Sequence, residues 1–117
     1  EPGRMVSETW AEMPLRFPLL QLDAWVVMPN HFHAILHLIP GTRASRRTVG
    51  RIISAFKSLT TVRYVRGIRA CGWPPFHRRL WPRNYHARIL RTPAVLAATR
   101  RYIEQNPQIH LQRARRQ

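Results

Sequence analysis

Two apolar, β-rich runs on either side of a short turn signal constrain the fold of this chain most strongly. Residues 22–28 and residues 31–39 are each long enough to form one strand. The Pro29-Asn30 pair between them is typical of a tight turn. The sequence therefore predicts an antiparallel hairpin, and the remaining elements have to cover its faces.

The second predicted strand carries His31 and His33 close to the tip of that hairpin. Alternate side chains of a strand point to the same face, so both imidazoles aim at one point while Phe32 points away. Two neutral imidazoles supply half of a divalent-metal site. About 0.25 such His-x-His pairs are expected by chance in a chain with this many histidines, and two histidines on a solvated edge strand would look the same. The motif therefore needs support from the rest of the chain.

The remaining periodic segments predict helices and one further strand. Apolar residues at helical spacing, proline breaks and N-cap residues define their boundaries. The predicted elements are a helix at residues 4–13 ended by Pro14, a helix at 48–64 capped by Thr48, an edge strand at 76–81, a short helix at 85–90 capped by Asn84, and a helix at 93–105 capped by Thr92 and stopped by Asn106-Pro107; residues 41–47 and 67–75 are loops, and residues 108–117 are a basic tail. This order predicts an α+β domain in which helices pack on an antiparallel sheet.

The charge of the chain is large and unevenly distributed. The 117 residues, enough for one small domain, carry a net charge of +15. Residues 41–117 contain almost all of the basic side chains and a single acid, Glu104. Such an asymmetry indicates a polyanionic partner, and arginine adds bidentate phosphate contacts. An arginine-rich codon bias is the alternative, but it explains arginine over lysine and not the shortage of acids.

Cysteine usage and hydropathy indicate the compartment. Cys71 is the single cysteine, so neither an intramolecular disulfide nor a cysteine metal cluster is expected. No run of apolar residues approaches the length of a membrane span, and the N-terminus lacks a secretory pattern. We therefore expect a protein of the reducing cytoplasm. Because the chain begins at Glu1 and Met5 is its first methionine, we also expect a fragment.

Tyr85 is the second residue of chemical interest, since it follows Trp81-Pro-Arg-Asn in a basic segment. A phenol acts as a nucleophile when a metal or cation favours its anionic form. A tyrosine by itself is more typical of packing. The same holds for the aromatic residues Trp73, Phe76, Trp81 and Tyr102, for which packing is the preferred interpretation over base stacking.

Four blocks of the sequence together point to a known family: residues 22–38 with Met-Pro-Asn-His-Phe-His, residues 49–58, residues 80–85 with Trp-Pro-Arg-Asn-Tyr, and residues 101–107 with Tyr-Ile-Glu-Gln-Asn-Pro. In order and spacing they resemble the REP-associated tyrosine transposases, which are single-tyrosine members of the HUH endonuclease superfamily. The resemblance covers the chain from about residue 6 to residue 107. Its first and third blocks are highly specific.

The resemblance implies a ferredoxin-like HUH domain over residues 1–107, truncated at its N-terminus. It implies that His31 and His33 hold one Mg²⁺ or Mn²⁺ and that Tyr85 attacks a DNA phosphate, which leaves a 5′-phosphotyrosine and a free 3′-OH. The substrate would be single-stranded DNA beside a hairpin, in the bacterial cytoplasm at the nucleoid, bound by a monomer or homodimer. The nucleic-acid contacts we expect are Arg51, Lys57, Arg83 and Arg88.

The chain departs from the family pattern in two places. Many relatives carry an acid two residues and a histidine three residues after the tyrosine, where this chain has Ala87 and Arg88. A third metal ligand is therefore open, with His86 as a substitute that points about 100° away on a helix and Arg88 as a residue on the tyrosine's face. Relatives also begin with a strand that pairs with the histidine strand. Its absence leaves open a decayed copy, a clipped chain or replacement by dimerisation.

Two alternatives follow from these departures, and the spacing of the histidines argues against a third. A non-catalytic DNA-binding remnant would keep the charge and lose the chemistry. A non-functional truncation would not unfold cooperatively. A histidine-triad nucleotide hydrolase would need a histidine at position 35, and Ile35 cannot serve as a ligand, which leaves His37 as a residue at the strand end.

Overall fold

The computed structural model describes residues 1–28, 31–38, 46–83, 85–105 and 110–113. Its elements are α1 (Pro2–Arg16), β1 (Leu20–Met28), β2 (His31–Leu38), α2 (Arg46–Cys71), α3 (Pro93–Glu104) and β3 (His110–Arg113). The predicted α+β class with an antiparallel sheet is confirmed. The predicted turn at 29–30, the loop at 41–45, the cap at Asn84 and the helix stop at 106–107 lie outside the described residues.

The sheet has three strands in the order β2-β1-β3, and both pairings are antiparallel. The predicted hairpin is present, with Met28 paired to His31 beside the turn and Leu20 paired to Leu38 at the far end. β3 lies in the segment assigned above to a basic tail, which is a correction. Its four residues are too few to give a clear alternating pattern, and β1 supplies the free edge that orders them.

A β-bulge interrupts β1 where it passes Ile35 of β2. Leu22 pairs with Leu36 and Trp25 pairs with Ala34, so two residues of β1 face one residue of β2. The extra residue places Asp23 and Ala24 together on the face covered by α3, as their contacts below show.

The two faces of the sheet bury different clusters. Trp10 of α1 and Phe56 of α2 both pack on Phe32, with ring centroids 5.2 and 5.0 Å apart. On the other face, Val26 of β1 and Ile103 of α3 are fully buried. Apolar burial of about 25 cal/mol per Å² on each face fixes the helices against the sheet.

α1 begins and ends with recognisable signals. The Glu1 carboxylate accepts hydrogen bonds from the amides of Gly3 and Arg4, and Pro2 occupies the first turn. Val6, Trp10 and Met13 are buried on one side, as predicted. The helix continues past Pro14 to Arg16, because a proline in the last turn removes only one hydrogen bond.

α2 is longer than predicted at both ends. It begins at Arg46, so Thr48 lies inside it and is not its cap, and it continues through Gly67 to Cys71. The sequence predicts that Gly67 begins a loop, but the residue is helical and the ring of Trp73 lies directly on it, so that a Cβ there would overlap the ring. Gly72, with φ of +70°, ends the helix.

The segment between α2 and α3 has neither of the two elements predicted for it. The expected strand at 76–81 and the expected helix at 85–90 are both irregular. Trp81 instead packs on Phe56 and donates a hydrogen bond of 2.7 Å to Thr60, which ties the segment to α2. A helix of six residues is too short to offset the unfavourable free energy of nucleation without help from packing. Of residues 85–90, Leu90 is the one that packs against the core.

α3 agrees with the prediction. Thr92 caps it by accepting a hydrogen bond of 3.1 Å from the Val95 amide, and Pro93 fills the first position. The helix ends at Glu104, one residue earlier than predicted. None of the helices in the described part of the chain is long and apolar enough to cross a membrane.

Candidate metal and nucleic-acid site

His31 and His33 lie side by side on β2, near the tip of the hairpin. Their ring centroids are 4.9 Å apart and their planes are perpendicular. His33 pairs with Val26, whose side chain is buried on the α3 side of the sheet. Both histidines therefore point to that side, while Phe32 points to α1 and α2. The sequence predicted this pairing from strand alternation.

The two rings lie in different environments. His31 is exposed and His33 is half-buried. Burial lowers the pKa of His33, and the neighbouring His31 lowers it further because two imidazolium charges would repel. The lowered pKa favours the neutral imidazole, which is the form that binds a metal ion.

Tyr102 of α3 completes a row of rings with the histidine pair. Its centroid is 5.7 Å from that of His33, with an angle of 87° between the planes. The phenol is 59% exposed, so the packing expected for this residue covers only part of it. The periodicity of α3 contains the signal that was missed: Leu96 and Ile103, seven residues apart, pack on the sheet, and Tyr102 lies off that stripe.

A groove of about 530 Å³ adjoins this row of rings. It is lined by Arg88, Val95, Ala98, Thr99 and Tyr102. The four α3 residues follow the spacing i, i+3, i+4 and i+7, so they form one face of the helix. Arg88 completes the lining, and Tyr102 belongs both to the groove and to the row of rings with the histidines.

Arg88 reaches this groove because residues 85–90 are not helical. The prediction that Arg88 shares a helix face with Tyr85 is wrong, because no helix forms over residues 85–90. The irregular backbone instead takes Arg88 to α3, while Tyr85 lies on α2. For the same reason, the angles that a helix would set between Tyr85, His86 and Arg88 do not apply to this structure.

Tyr85 contacts the outer surface of α2. Its hydroxyl lies 3.5 Å from the point that a Cβ on Gly50 would occupy, and the Lys57 ammonium is 5.9 Å from its ring centroid. The phenol is 43% exposed. The structure thus brings His31 and His33 together, and it places Tyr85 on the helix that covers the opposite face of the sheet.

Lys57 holds the segment that leads to Tyr85. Its ammonium donates to the carbonyl oxygens of Pro82 at 2.8 Å and of Arg83 at 3.4 Å. The nitrogen expected to contact DNA phosphate therefore already has two acceptors. Arg83, like Arg51 on α2, is exposed.

His37 lies on the same strand face as the histidine pair but has a different partner. Its Nε2 is 2.8 Å from Oδ2 of Asp23, and Arg100 of α3 donates to both oxygens of that carboxylate. Burial by itself would raise the pKa of Asp23, but hydrogen bonds from Arg100, His37 and the Ala24 amide hold it far below its ordinary range. His37 therefore belongs to an ion-paired contact between β1, β2 and α3.

A third metal ligand does not emerge from the described residues. Within them, no group of three or more histidine, cysteine, aspartate or glutamate side chains gathers at one point. His31 and His33 can supply two nitrogen ligands, so the other positions around an ion would be taken by water or substrate oxygen.

Comparison with known proteins gives one relative without an assigned activity. No protein family model matches the chain, and no solved structure matches it. A protein of Haemophilus influenzae described as uncharacterized is 26% identical over 125 residues. The match covers 90% of this chain and 64% of that protein, so the chain spans less than two thirds of its relative.

Proposed function

We propose that the chain is a metal-dependent DNA transposase that nicks and rejoins single-stranded hairpin DNA through a 5′-phosphotyrosine. The observation that carries the proposal is the contact of His31 and His33, whose rings lie 4.9 Å apart on one strand face. The resemblance of the blocks around these histidines and Tyr85 to REP-associated tyrosine transposases supplies the reaction. Such DNA lies in the bacterial cytoplasm at the nucleoid, where we place the protein.

The donor set fits a divalent cation. Two adjacent imidazoles, one with a lowered pKa, are nitrogen ligands that suit Mn²⁺ better than Mg²⁺, which prefers oxygen. When bound, the ion would polarise the scissile phosphate and neutralise charge that develops on it. His31 and His33 would hold it from one side and leave its other side open to DNA.

Tyr85 is the proposed nucleophile. Its oxygen would form a bond to phosphorus as the bond from phosphorus to the 3′-oxygen breaks, and the phenol proton would pass to water. The new 3′-OH can later attack the phosphotyrosine and restore the DNA bond, so no ATP is needed. Lys57 is the cation beside the ring, with its ammonium 5.9 Å from the ring centroid.

The irregular backbone of residues 85–91 supports the movement that this chemistry requires. These residues make no helical hydrogen bonds, and the described contacts of Tyr85 are those with α2. Bringing its phenol to the histidine pair would therefore break the contacts of Tyr85 with Gly50 and Lys57. A phenol supplied by a second copy of the chain would meet the same requirement.

A denaturing gel tests the proposal. The protein is incubated with Mn²⁺ and labelled hairpin DNA that has a single-stranded flank. We expect a labelled band that resists SDS, disappears with EDTA, and is lost in Tyr85→Phe and His33→Ala while DNA binding survives. Tyr64→Phe is the matched control and should keep the adduct. An adduct that persists in Tyr85→Phe would overturn the assignment.

A second candidate is a DNA-binding protein without cleavage activity. The placement of Tyr85 on α2 and the net charge of +15 favour it. Its signature is hairpin binding that falls with salt, ignores EDTA and gives no adduct in the same gel.

A further inference from the structure

The exposure of Tyr102 is not explained by packing. The phenol is 59% exposed although it lies beside His33, and a perpendicular contact of two rings covers at most one face of each. One face of the Tyr102 ring is therefore open to the groove. An open aromatic face of this kind is the surface on which an unpaired base stacks.

The chemistry of the groove is complementary to a nucleotide. Beside Tyr102 the lining includes Ala98 and Thr99, whose small side chains leave room for a flat ring. The hydroxyl of Thr99 donates to the Val95 carbonyl, so it adds no unpaired donor to the lining. Arg88 adds a cation, and none of the described lining residues is acidic.

We infer that this groove receives one unpaired nucleotide of the DNA, with its base stacked on Tyr102 and its phosphate against Arg88. The inference rests on the proposed function and adds the residue that positions the strand beside the histidine pair. Because Tyr102 contacts His33, a base stacked on Tyr102 would place a neighbouring phosphate next to the two imidazoles.

The inference requires a single strand. In a duplex both faces of each base are already stacked, so a protein ring gains no access to them. Tyr102 should therefore discriminate between single-stranded and double-stranded DNA, whereas Arg88 should contribute about equally to both through phosphate contact.

Binding measured in EDTA tests this separately from the reaction. The probes are a twelve-nucleotide oligothymidylate containing 2-aminopurine and a duplex of the same length. For Tyr102→Ala we expect single-strand affinity to fall about 5- to 100-fold, with duplex affinity nearly unchanged and the change in 2-aminopurine fluorescence lost. Tyr102→Phe should keep both the affinity and the fluorescence change, since it keeps the ring.

Two controls make the result decisive. Leu15→Ala removes an exposed apolar side chain on α1 and should leave both affinities unchanged. Arg88→Ala should lower the affinities for the single strand and for the duplex by a similar factor. Undiminished single-strand binding by Tyr102→Ala, or an equal loss in Tyr102→Ala and Tyr102→Phe, would overturn the inference. Failure of the adduct gel with intact stacking here would instead overturn the proposed function alone.

Discussion

Asp23 shows how one acidic residue organises the α3 face of the sheet. The bulge in β1 turns it toward His37 and Arg100, and its side chain is 6% exposed. A buried carboxylate is costly unless hydrogen bonds replace its hydration, and here Arg100, His37 and the Ala24 amide do so. The contact fixes α3, and through it the position of Tyr102 relative to the histidines.

We predict that Asp23→Asn lowers the free energy of unfolding by about 2 kcal/mol, because it leaves Arg100 without its charged partner. Urea denaturation at neutral pH measures this change. Glu12→Gln is the matched control: the pair of Glu12 with Arg63 is more exposed, and its loss should cost less than about 1 kcal/mol. Equal losses in the two variants would contradict the account of Asp23.

The contribution of Asp23 should depend on pH in one direction. Because the folded state holds the pKa of Asp23 below its ordinary value, the stabilisation is fully present above the unfolded pKa of about 3.9. It is lost as the pH falls from there through the folded pKa. The stability difference between wild type and Asp23→Asn should therefore stay constant from neutral pH to about pH 5 and shrink below about pH 4. A difference that already shrinks between pH 7 and 5 would contradict this cause.

At the scale of elements, α2 depends on close contact at one glycine. Trp73 folds back onto Gly67, and Tyr64 packs on the same indole with ring centroids 5.3 Å apart. This return of the chain sends the following segment along α2 toward Trp81 and Tyr85. The helix tolerates Gly67 because its missing side chain makes room for the ring.

We predict opposite effects for two substitutions in α2. Gly67→Ala should destabilise the fold by about 1–3 kcal/mol, because the new methyl overlaps Trp73. Gly50→Ala should be neutral or stabilise by up to about 1 kcal/mol, since its methyl meets the Tyr85 hydroxyl at an ordinary 3.5 Å and alanine favours the helix. Thermal unfolding followed by circular dichroism compares them, and a Gly67→Ala variant as stable as Gly50→Ala would refute the contact.

The sequence predicted correctly those elements whose formation depends on signals within a few residues, such as strand alternation and helix caps. Strand alternation was sufficient to pair His31 with His33, and Thr92 with Pro93 marked the start of α3. No local signal reports the position of Trp73 on Gly67, so the loop predicted at 67–75 is wrong for residues 67–71, which are helical, and right for residues 72–75. The irregular path that separates Tyr85 from Arg88 and the exposure of Tyr102 depend on packing between distant segments, which periodicity does not report.

At the scale of the whole molecule, lysine and arginine outnumber aspartate and glutamate by 20 to 5. Among the described residues Glu12 pairs with Arg63 and Asp23 with Arg100, while Arg51, Arg83 and Arg88 are exposed. A surface of this kind attracts nucleic acid before any specific contact forms.

We predict that the affinity for single-stranded DNA falls with salt as expected for about three phosphate contacts, one from each of the three exposed arginines. Lys57 is not counted, because its ammonium already donates to two carbonyl oxygens. The slope of log affinity against log salt should be about −2, which is a loss of about 16-fold for a fourfold increase in salt. Fluorescence anisotropy measures it, and Arg88→Ala should reduce the slope by about 0.7. A slope near zero would contradict charge-driven binding.

The histidine pair is the basis of the proposed chemistry, and Mn²⁺ binding followed by electron paramagnetic resonance tests it most directly. We expect one Mn²⁺ per chain, bound at least about tenfold more weakly by His31→Ala and by His33→Ala. His86→Ala, which removes an exposed histidine outside the pair, should bind like the wild type. Unchanged Mn²⁺ affinity in both variants of the pair would contradict a metal site at His31 and His33.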